Sequence, residues 1–311
     1  MRLAGHWSYW RMAKKAFRSG IVAILGRPNV GKSTLTNVLV GQKISIVTSK
    51  PQTTRHAIVG ILTEPDYQAV LIDTPGLLSR AGKLINRTMN RTARGSLAGA
   101  NLCFLVVEAG RWQAGDDHVL VSIQNSKVPC ILIVNKVDQV RPKVGLLPYI
   151  EATAARGDFA EIVPVSALKG SNLERLKQQI SPYLPEGEYL YPMGEVTDRS
   201  IEFRVAEVLR EKLMQSLQEE VPYGLCVEIE ELVERDNLVL VDAVIWVDRE
   251  SHKGIVVGKG GLRLKHMGRA ARLELEKLFS RKFHIETRAK VKRNWSNDAA
   301  LLRQLGYGTQ V

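Results

Sequence analysis

Apolar residues fall along this chain in two rhythms. In the first half they come as short unbroken runs, many of them β-branched: Gly20-Ile21-Val22-Ala23-Ile24-Leu25, Ala69-Val70-Leu71-Ile72, Ile131-Leu132-Ile133-Val134 and Val163-Pro164-Val165. Such runs fit strands buried on both faces, as in a parallel sheet. The first gives way to Thr34-Leu35-Thr36-Asn37-Val38-Leu39-Val40, whose spacing predicts a helix. The second half is amphipathic instead. Ile201, Val205, Val208, Leu209, Leu213 and Leu217 predict a helix over 199–218. Strands are expected over 225–234 and 238–247, the second alternating Val239, Val241, Ala243, Ile245 and Val247 on one face. Residues 254–257 are expected to open a short helix, and Leu264, Met267, Ala271, Leu275 and Leu278 mark a long one. Phe283, Ile285, Thr287, Ala289 and Val291 then alternate as a strand, and a last helix is expected over 298–305.

Between the two rhythms, residues 182–198 carry three prolines and two glycines, a composition typical of a domain boundary. The expected division is an extension at 1–19, a first domain at 20–184, a linker at 185–198 and a second domain at 199–311.

Composition excludes several classes. The chain has 311 residues, 45% apolar and 24% charged, which is neither a disordered chain nor a collagen-like repeat. No apolar stretch reaches the roughly 18 residues that span a bilayer. Cys103, Cys130 and Cys226 have no metal-site spacing and read as buried thiols in a reducing compartment. The net charge of +12 is uneven: residues 249–293 hold 14 Lys/Arg against 4 Asp/Glu, which suggests a module for a polyanion. Residues 1–20 hold five basic residues and no acidic ones. They lack the apolar core of a signal peptide, and Met12-Ala13-Lys14-Lys15 reads as a natural start, with residues 1–11 a disordered tail or an upstream start.

The strand ends carry the chemistry. Gly26-Arg27-Pro28-Asn29-Val30-Gly31-Lys32-Ser33, followed by Thr34, is GxxxxGKS between a strand and a helix. Its backbone N–H groups can close on phosphate oxygens, with Lys32 reaching the β and γ phosphates and the Ser33 hydroxyl a ligand for Mg²⁺. Asp73-Thr74-Pro75-Gly76 ends the next run; Asp73 can hold Mg²⁺ through water and the Gly76 N–H can sense the γ-phosphate. Asn135-Lys136-Val137-Asp138 selects guanine, since the Asp138 carboxylate matches its N1–H and exocyclic amine and would be left unpaired by adenine. Ser166-Ala167-Leu168 then brings backbone to the base oxygen. These elements in order argue for GTP and GDP as ligands and against a P-loop kinase or ATPase.

Between these motifs, Thr54 or Thr53 can complete the Mg²⁺ shell when the γ-phosphate is present, Thr54 being the first choice. Lys50 to His56 is polar with few apolar anchors, which suits an order–disorder switch. Leu77, followed by Leu78, stands where Ras-like proteins carry the water-orienting glutamine, so intrinsic turnover is expected to be slow. Asn29 either holds a monovalent cation such as K⁺ beside the phosphates or shapes the loop.

In the second half, Gly258-Lys259-Gly260-Gly261 sits between two helices, after two strands and before a third. That is the order of a KH module in its helix-first form, which clamps about four nucleotides of single strand. Lys259 would contact phosphate, and Arg263, Lys265 and Arg269 would extend a basic rim. Arg249, His252, Lys253, Lys292, Arg293 and Trp295 are further candidates, Trp295 equally a core anchor for the last helix.

GRPNVGKST, QTTRH, DTPGL, NKVD and VSALKG, followed by a linker and VVGKGG, resemble the Era family of bacterial GTPases over about residues 20–308. EKL at 211–213, VPY at 221–223, Val291-Lys292, Trp295 and LGY at 305–307 add to the likeness. The resemblance implies an α/β P-loop GTPase domain, a mostly parallel sheet with helices on both faces, followed by an α+β type II KH domain. It implies a monomeric GTPase of 30S subunit maturation that binds the 3′ end of 16S ribosomal RNA, is cytoplasmic and associates peripherally with the inner membrane. A hydrophobic residue at Leu77 and an asparagine at Asn29 also fit the family; the extension before Met12 departs from it. The competing reading is a constitutive RNA-binding protein whose nucleotide site is structural.

Overall fold

The computed structural model describes residues 16–77 and 82–308, so residues 1–15 of the basic extension, and Leu78, lie outside it. The chain begins with β1 (Arg18–Leu25), the phosphate-binding loop and α1 (Lys32–Val40). It continues through β2 (Ile58–Glu64), β3 (Tyr67–Asp73), α2 (Leu84–Gly95), β4 (Leu102–Glu108) and α3 (Ala114–Ser126). Then come β5 (Cys130–Asn135), α4 (Leu146–Ala154), β6 (Glu161–Pro164) and α5 (Leu173–Gln178). The six strands form one sheet in the order β2-β3-β1-β4-β5-β6, parallel except for β2. Their side chains feed two apolar layers, one on each face, as expected of a doubly covered sheet.

The four expected strands are present, and β2 and β4 are additions. Leu102–Glu108 is as apolar as its neighbours, but it delivers no recognisable motif at its end. Ile58–Glu64 directly follows the polar switch segment, with Gly60 interrupting its run.

The linker does not hang free. The buried Gln68 side chain accepts from the Leu190 and Tyr191 N–H groups at 2.8 and 2.9 Å and donates to the Tyr191 carbonyl at 3.0 Å. Further on, Ile61 N–H donates to Val196 O at 2.9 Å and Thr197 Oγ1 to Val59 O at 2.6 Å. These bonds occupy the outer edge of β2, which would otherwise present unpaired backbone groups.

Beyond the linker, α6 (Ile201–Ser216) is capped by the Ser200 hydroxyl, and β7 (Leu225–Arg235) and β8 (Leu238–Val247) form an antiparallel pair. Next come α7 (Glu250–Val257), a single 3₁₀ turn at Lys259–Gly261, α8 (Leu262–Phe279) and β9 (Lys282–Val291), which runs parallel to β8. Residues 254–257 therefore end α7 rather than open it: its first turn is polar, so only its last turn stood out as apolar. Val239, Val241, Ala243, Ile245 and Val247 all point into one core with the apolar faces of α6 and α8.

The chain closes with α9 (Ala299–Gln304), its N–H groups capped by Asp298. Trp295 is 0% exposed, donates its indole N–H to Gly224 O at 3.0 Å, and packs with Ile85 and Met89 of α2. It is a core anchor, which excludes the stacking role. His252 is likewise buried, with Nε2 3.7 Å from Glu220, and so presents no free face to RNA. Trp295→Ala is expected to cost about 3–5 kcal/mol, because the cavity left is large and the ring's neighbours come from both halves of the molecule; urea unfolding of the variant measures it.

Candidate functional site

The first site is a cleft of about 930 Å³ at the carboxyl ends of the parallel strands, where open α/β sheets bind ligands. Its walls include Asn29, Ser33, Thr54, Gly76, Lys136 and Leu168. Because β1 ends at Leu25 and α1 starts at Lys32, the backbone between them must turn sharply, and Gly31 at the start of α1 has φ 99°. Pro28 of this loop presses on Gly76: a Cβ there would lie 2.7 Å from the Pro28 nitrogen, so only glycine brings the two strand-end loops together. Leu77 beside it is buried in the core under α2 and offers no polar atom to the cleft.

Lys32 curls over the loop, donating to Gly26 O at 3.0 Å and Arg27 O at 3.1 Å. Burial pushes its amine down to about 8, against the attraction of Asp73. Asp73 is fully buried, and neither of its carboxylate oxygens has a hydrogen-bond partner among the described residues. Ser33 and Ser45 face it without closing a well-formed bond, and burial raises its pKa. A buried carboxylate left this way is costly unless a cation sits beside it. Two hydroxyls mark the adjacent position: Ser33 Oγ and Thr54 Oγ1 are 2.7 Å apart. The donor set of one carboxylate and two hydroxyls suits a hard, oxygen-seeking cation such as Mg²⁺. Thr53 turns the other way, its hydroxyl 2.6 Å from Thr48 Oγ1 and 2.7 Å from Lys50 O. Of the two threonines, only Thr54 turns its hydroxyl toward Ser33.

Other positions frame the cleft. Asn135 joins two loops, donating to Val30 O at 2.8 Å and accepting from Ala167 N–H at 3.0 Å. Asp138 takes a hydrogen bond from the Ser166 hydroxyl at 2.6 Å, which orients its carboxylate. Val137 N–H donates to Val165 O, and Lys136 reaches Glu108 at 3.2 Å. Thr34 lines the cleft and Pro75 is buried behind it. Thr74 points away: its hydroxyl donates to Ile24 O at 2.7 Å, so only its backbone is available to a ligand. Asn29, at φ 65°, donates its amide to Ser49 O at 2.8 Å.

Sequence reasoning missed two groups. Asp116 of α3 and Glu108 at the end of β4 brace Arg27 at 3.0 and 3.1 Å, which stiffens the loop. Arg55, Glu207 and Arg210 are buried between the two halves of the molecule. Nothing local marks them, since both arginines donate to backbone carbonyls more than a hundred residues away.

The second site is the turn between α7 and α8. Gly258 has φ 72°, and a Cβ there would lie 2.8 Å from Arg263 Cβ, so the tight turn needs glycine. Arg263 braces the turn by donating to Ile255 O. Lys259, Lys265 and Arg269 are exposed and form no ion pair among the described residues, and the apolar Leu262 and Ile255 flank them in the open. This is a basic surface whose backbone can be approached closely.

The fold and the two sites together define a class: a P-loop GTPase domain joined to a KH RNA-binding module. Family models agree, one for 50S ribosome-binding GTPases over residues 21–136 and one for the KH domain over residues 220–296. The GTPase Era of Xanthomonas oryzae pv. oryzae is 50% identical over 290 residues, covering 93% of this chain and 97% of that protein. That of Stenotrophomonas maltophilia is 48% identical over 288 residues, covering 93% of this chain and 97% of that one. Among solved structures, Era in complex with MgGDPNP and nucleotides 1506–1542 of 16S ribosomal RNA matches with a TM-score of 0.91 at 38% identity, over 94% of this chain and all of that one. A single-residue variant of Aquifex aeolicus Era bound to GDP·AlF₄⁻ also matches at 0.91, with 37% identity and the same coverage. The chain belongs to the Era family of GTPases.

Proposed function

We propose that this protein is a GTP-hydrolysing switch that grips the 3′ end of 16S ribosomal RNA through its KH domain and acts in assembly of the 30S subunit. One observation carries the reading. Both sites stand in one chain, in the same order and over nearly the same length as in the Era relative solved with MgGDPNP and nucleotides 1506–1542 of 16S ribosomal RNA.

In the first site, the backbone N–H groups between Gly26 and Thr34, Pro28 having none, and the Lys32 ammonium hold the phosphates. Ser33 and Thr54 would ligate Mg²⁺, with Asp73 behind them through water, and the ion would supply neutralisation of phosphate charge. The Gly76 N–H reads the γ-phosphate. Asp138 accepts from guanine while Asn135 and the backbone of Ser166, Ala167 and Leu168 fix its position. The apolar Leu77 leaves the attacking water without a side-chain partner, so turnover is slow until an activator acts. The Asn29 amide nitrogen is occupied by Ser49 O, which leaves its oxygen for a K⁺ ion beside the phosphates.

In the second site, the turn at 258–261 admits a single-stranded backbone, with Lys259, Arg263, Lys265 and Arg269 along its path. The protein acts as a monomer in the cytoplasm. Contact with the inner membrane is peripheral and electrostatic; no helix among the described residues is long and apolar enough to cross a membrane.

Gly258→Asp tests the RNA reading by placing a bulky anion in the tight turn. A titration with single-stranded RNA copying the 3′ end of 16S ribosomal RNA is expected to show affinity falling about tenfold or more, with GTP affinity unchanged. Equal RNA affinity would refute it.

The Lys32 amine gives a pH signature. It titrates near 8 in the nucleotide-free fold against 10.5 in the unfolded chain. Its folded pKa is depressed, so this group lowers stability below pH 8, and stability recovers as pH rises toward 10.5. Nucleotide binding needs the ammonium. GDP affinity is therefore expected to be flat below about pH 7.5 and to fall above pH 8, by up to about tenfold per unit. Fluorescent GDP titrations from neutral to alkaline pH check this; in Lys32→Ala the binding is weak and the slope absent.

A further inference from the structure

The loop that carries Thr54 is held from behind by the second domain. Arg210 of α6 is 2% exposed and makes a bidentate pair with Glu207, both contacts at 2.7 Å. Its terminal nitrogens also reach Met214 Sδ, at 3.2 Å, and the carbonyl oxygen of Thr53. That carbonyl belongs to the peptide joining Thr53 to Thr54. On one side of it, Lys50 donates to the Met214 and Leu217 carbonyls at the end of α6. On the other, Arg55 donates to Leu225 O at 2.7 Å, Tyr223 O at 3.1 Å and Pro222 O at 3.2 Å. His56 then stacks on Tyr307, ring centres 4.3 Å apart. Thr54 lies at the middle of this strap, and its hydroxyl is the only one of the loop's that meets Ser33 among the described residues.

We infer that Arg210, a residue of the KH domain, is a positioning residue for the nucleotide site: held by Glu207, it fixes the Thr53–Thr54 peptide so that the Thr54 hydroxyl faces Ser33. This rests on the reading of Thr54 as a ligand of Mg²⁺. Arg210 touches neither nucleotide nor metal. Its guanidinium has a fork geometry that can satisfy a carboxylate and a carbonyl at once, which lysine does only in part. The P-loop fixes one side of the metal position and the second domain fixes the other. A buried ion pair set so far from solvent is weak as a source of stability and is better suited to specifying one geometry.

The test is the Mg²⁺ concentration at half-maximal binding of a fluorescent, non-hydrolysable GTP analogue to the full chain. Hydrogen exchange of residues 48–55 without nucleotide is the second readout. Arg210→Gln is expected to raise the Mg²⁺ midpoint about tenfold, as for loss of one charge-assisted hydrogen bond, and to speed exchange in the loop. Arg210→Lys should recover most of the shift. Combining Glu207→Gln with Arg210→Gln removes both charges of the pair and leaves Arg55 on its carbonyl partners, so the double variant is expected to fold and show the same defect, its fold checked by unchanged circular dichroism. In a Thr54→Ala background Arg210→Gln should add nothing. An unchanged midpoint in Arg210→Gln, where Thr54→Ala does shift it, overturns the inference. So does an Arg210 effect that persists undiminished without the Thr54 hydroxyl. If Thr54→Ala itself leaves the midpoint unchanged, the reading of Thr54 falls first.

Discussion

The molecule turns on the placement of one short loop, residues 43–56, between the two domains. In front of it lies the phosphate-binding loop, where Thr54 meets Ser33 at 2.7 Å. Behind it lies α6, whose Glu211 receives Lys43 at 2.5 Å and the Val47 N–H at 2.8 Å. Lys43 also reaches Glu274 on α8, the helix that starts at the GxxG turn. Ile44 and Ile46 anchor its first part in the core, but from Thr48 to Arg55 no aliphatic or aromatic side chain gives it a hydrophobic reason to hold one shape. Its order comes from cations donating to carbonyls and carboxylates across the domain boundary. Such contacts are directional, which suits a two-position element.

Everything else holds these partners in place. The sheet fixes the strand ends, and the glycine contact between Gly76 and Pro28 ties the Asp73–Gly76 loop to the loop before α1. Gln68 and Thr197 bind the linker along β2, so α6 enters at a fixed angle. Trp295 joins the last turn of the chain to α2, the helix that follows the Asp73–Gly76 loop. The second domain is therefore attached both to the loop that carries Thr54 and to α2, the helix that follows the Asp73–Gly76 segment.

Much of this was legible in the sequence. The strand-ending motifs are local: a run such as Ile131–Val134 announces its own burial, and Asn135 and Asp138 follow at fixed spacing. The alternation in β8 and the apolar stripe of α8 gave the KH sheet and its covering helix in the same way. What could not be read was long-range and polar. Glu207, Arg210 and Glu211 occupy what looks like the solvent face of an amphipathic helix, yet all three are buried, because that face meets the first domain. Helical periodicity tells which residues share a face and says nothing of a second, polar interface. Thr53 and Thr54 stayed unresolved for the same reason: neighbours in a loop point in opposite directions only once the loop has its partners.

The strap that carries Thr54 is held by the KH domain, so the nucleotide and RNA sites are expected to report on each other. Coupling of this kind is reciprocal in binding free energy, so it is visible from either side. The most direct measurement is the affinity of the full chain for single-stranded RNA copying the 3′ end of 16S ribosomal RNA, taken with Mg²⁺ and a non-hydrolysable GTP analogue and again with GDP. A shared strap predicts affinities that differ by roughly fivefold or more. Equal affinities in the two nucleotide states would contradict it.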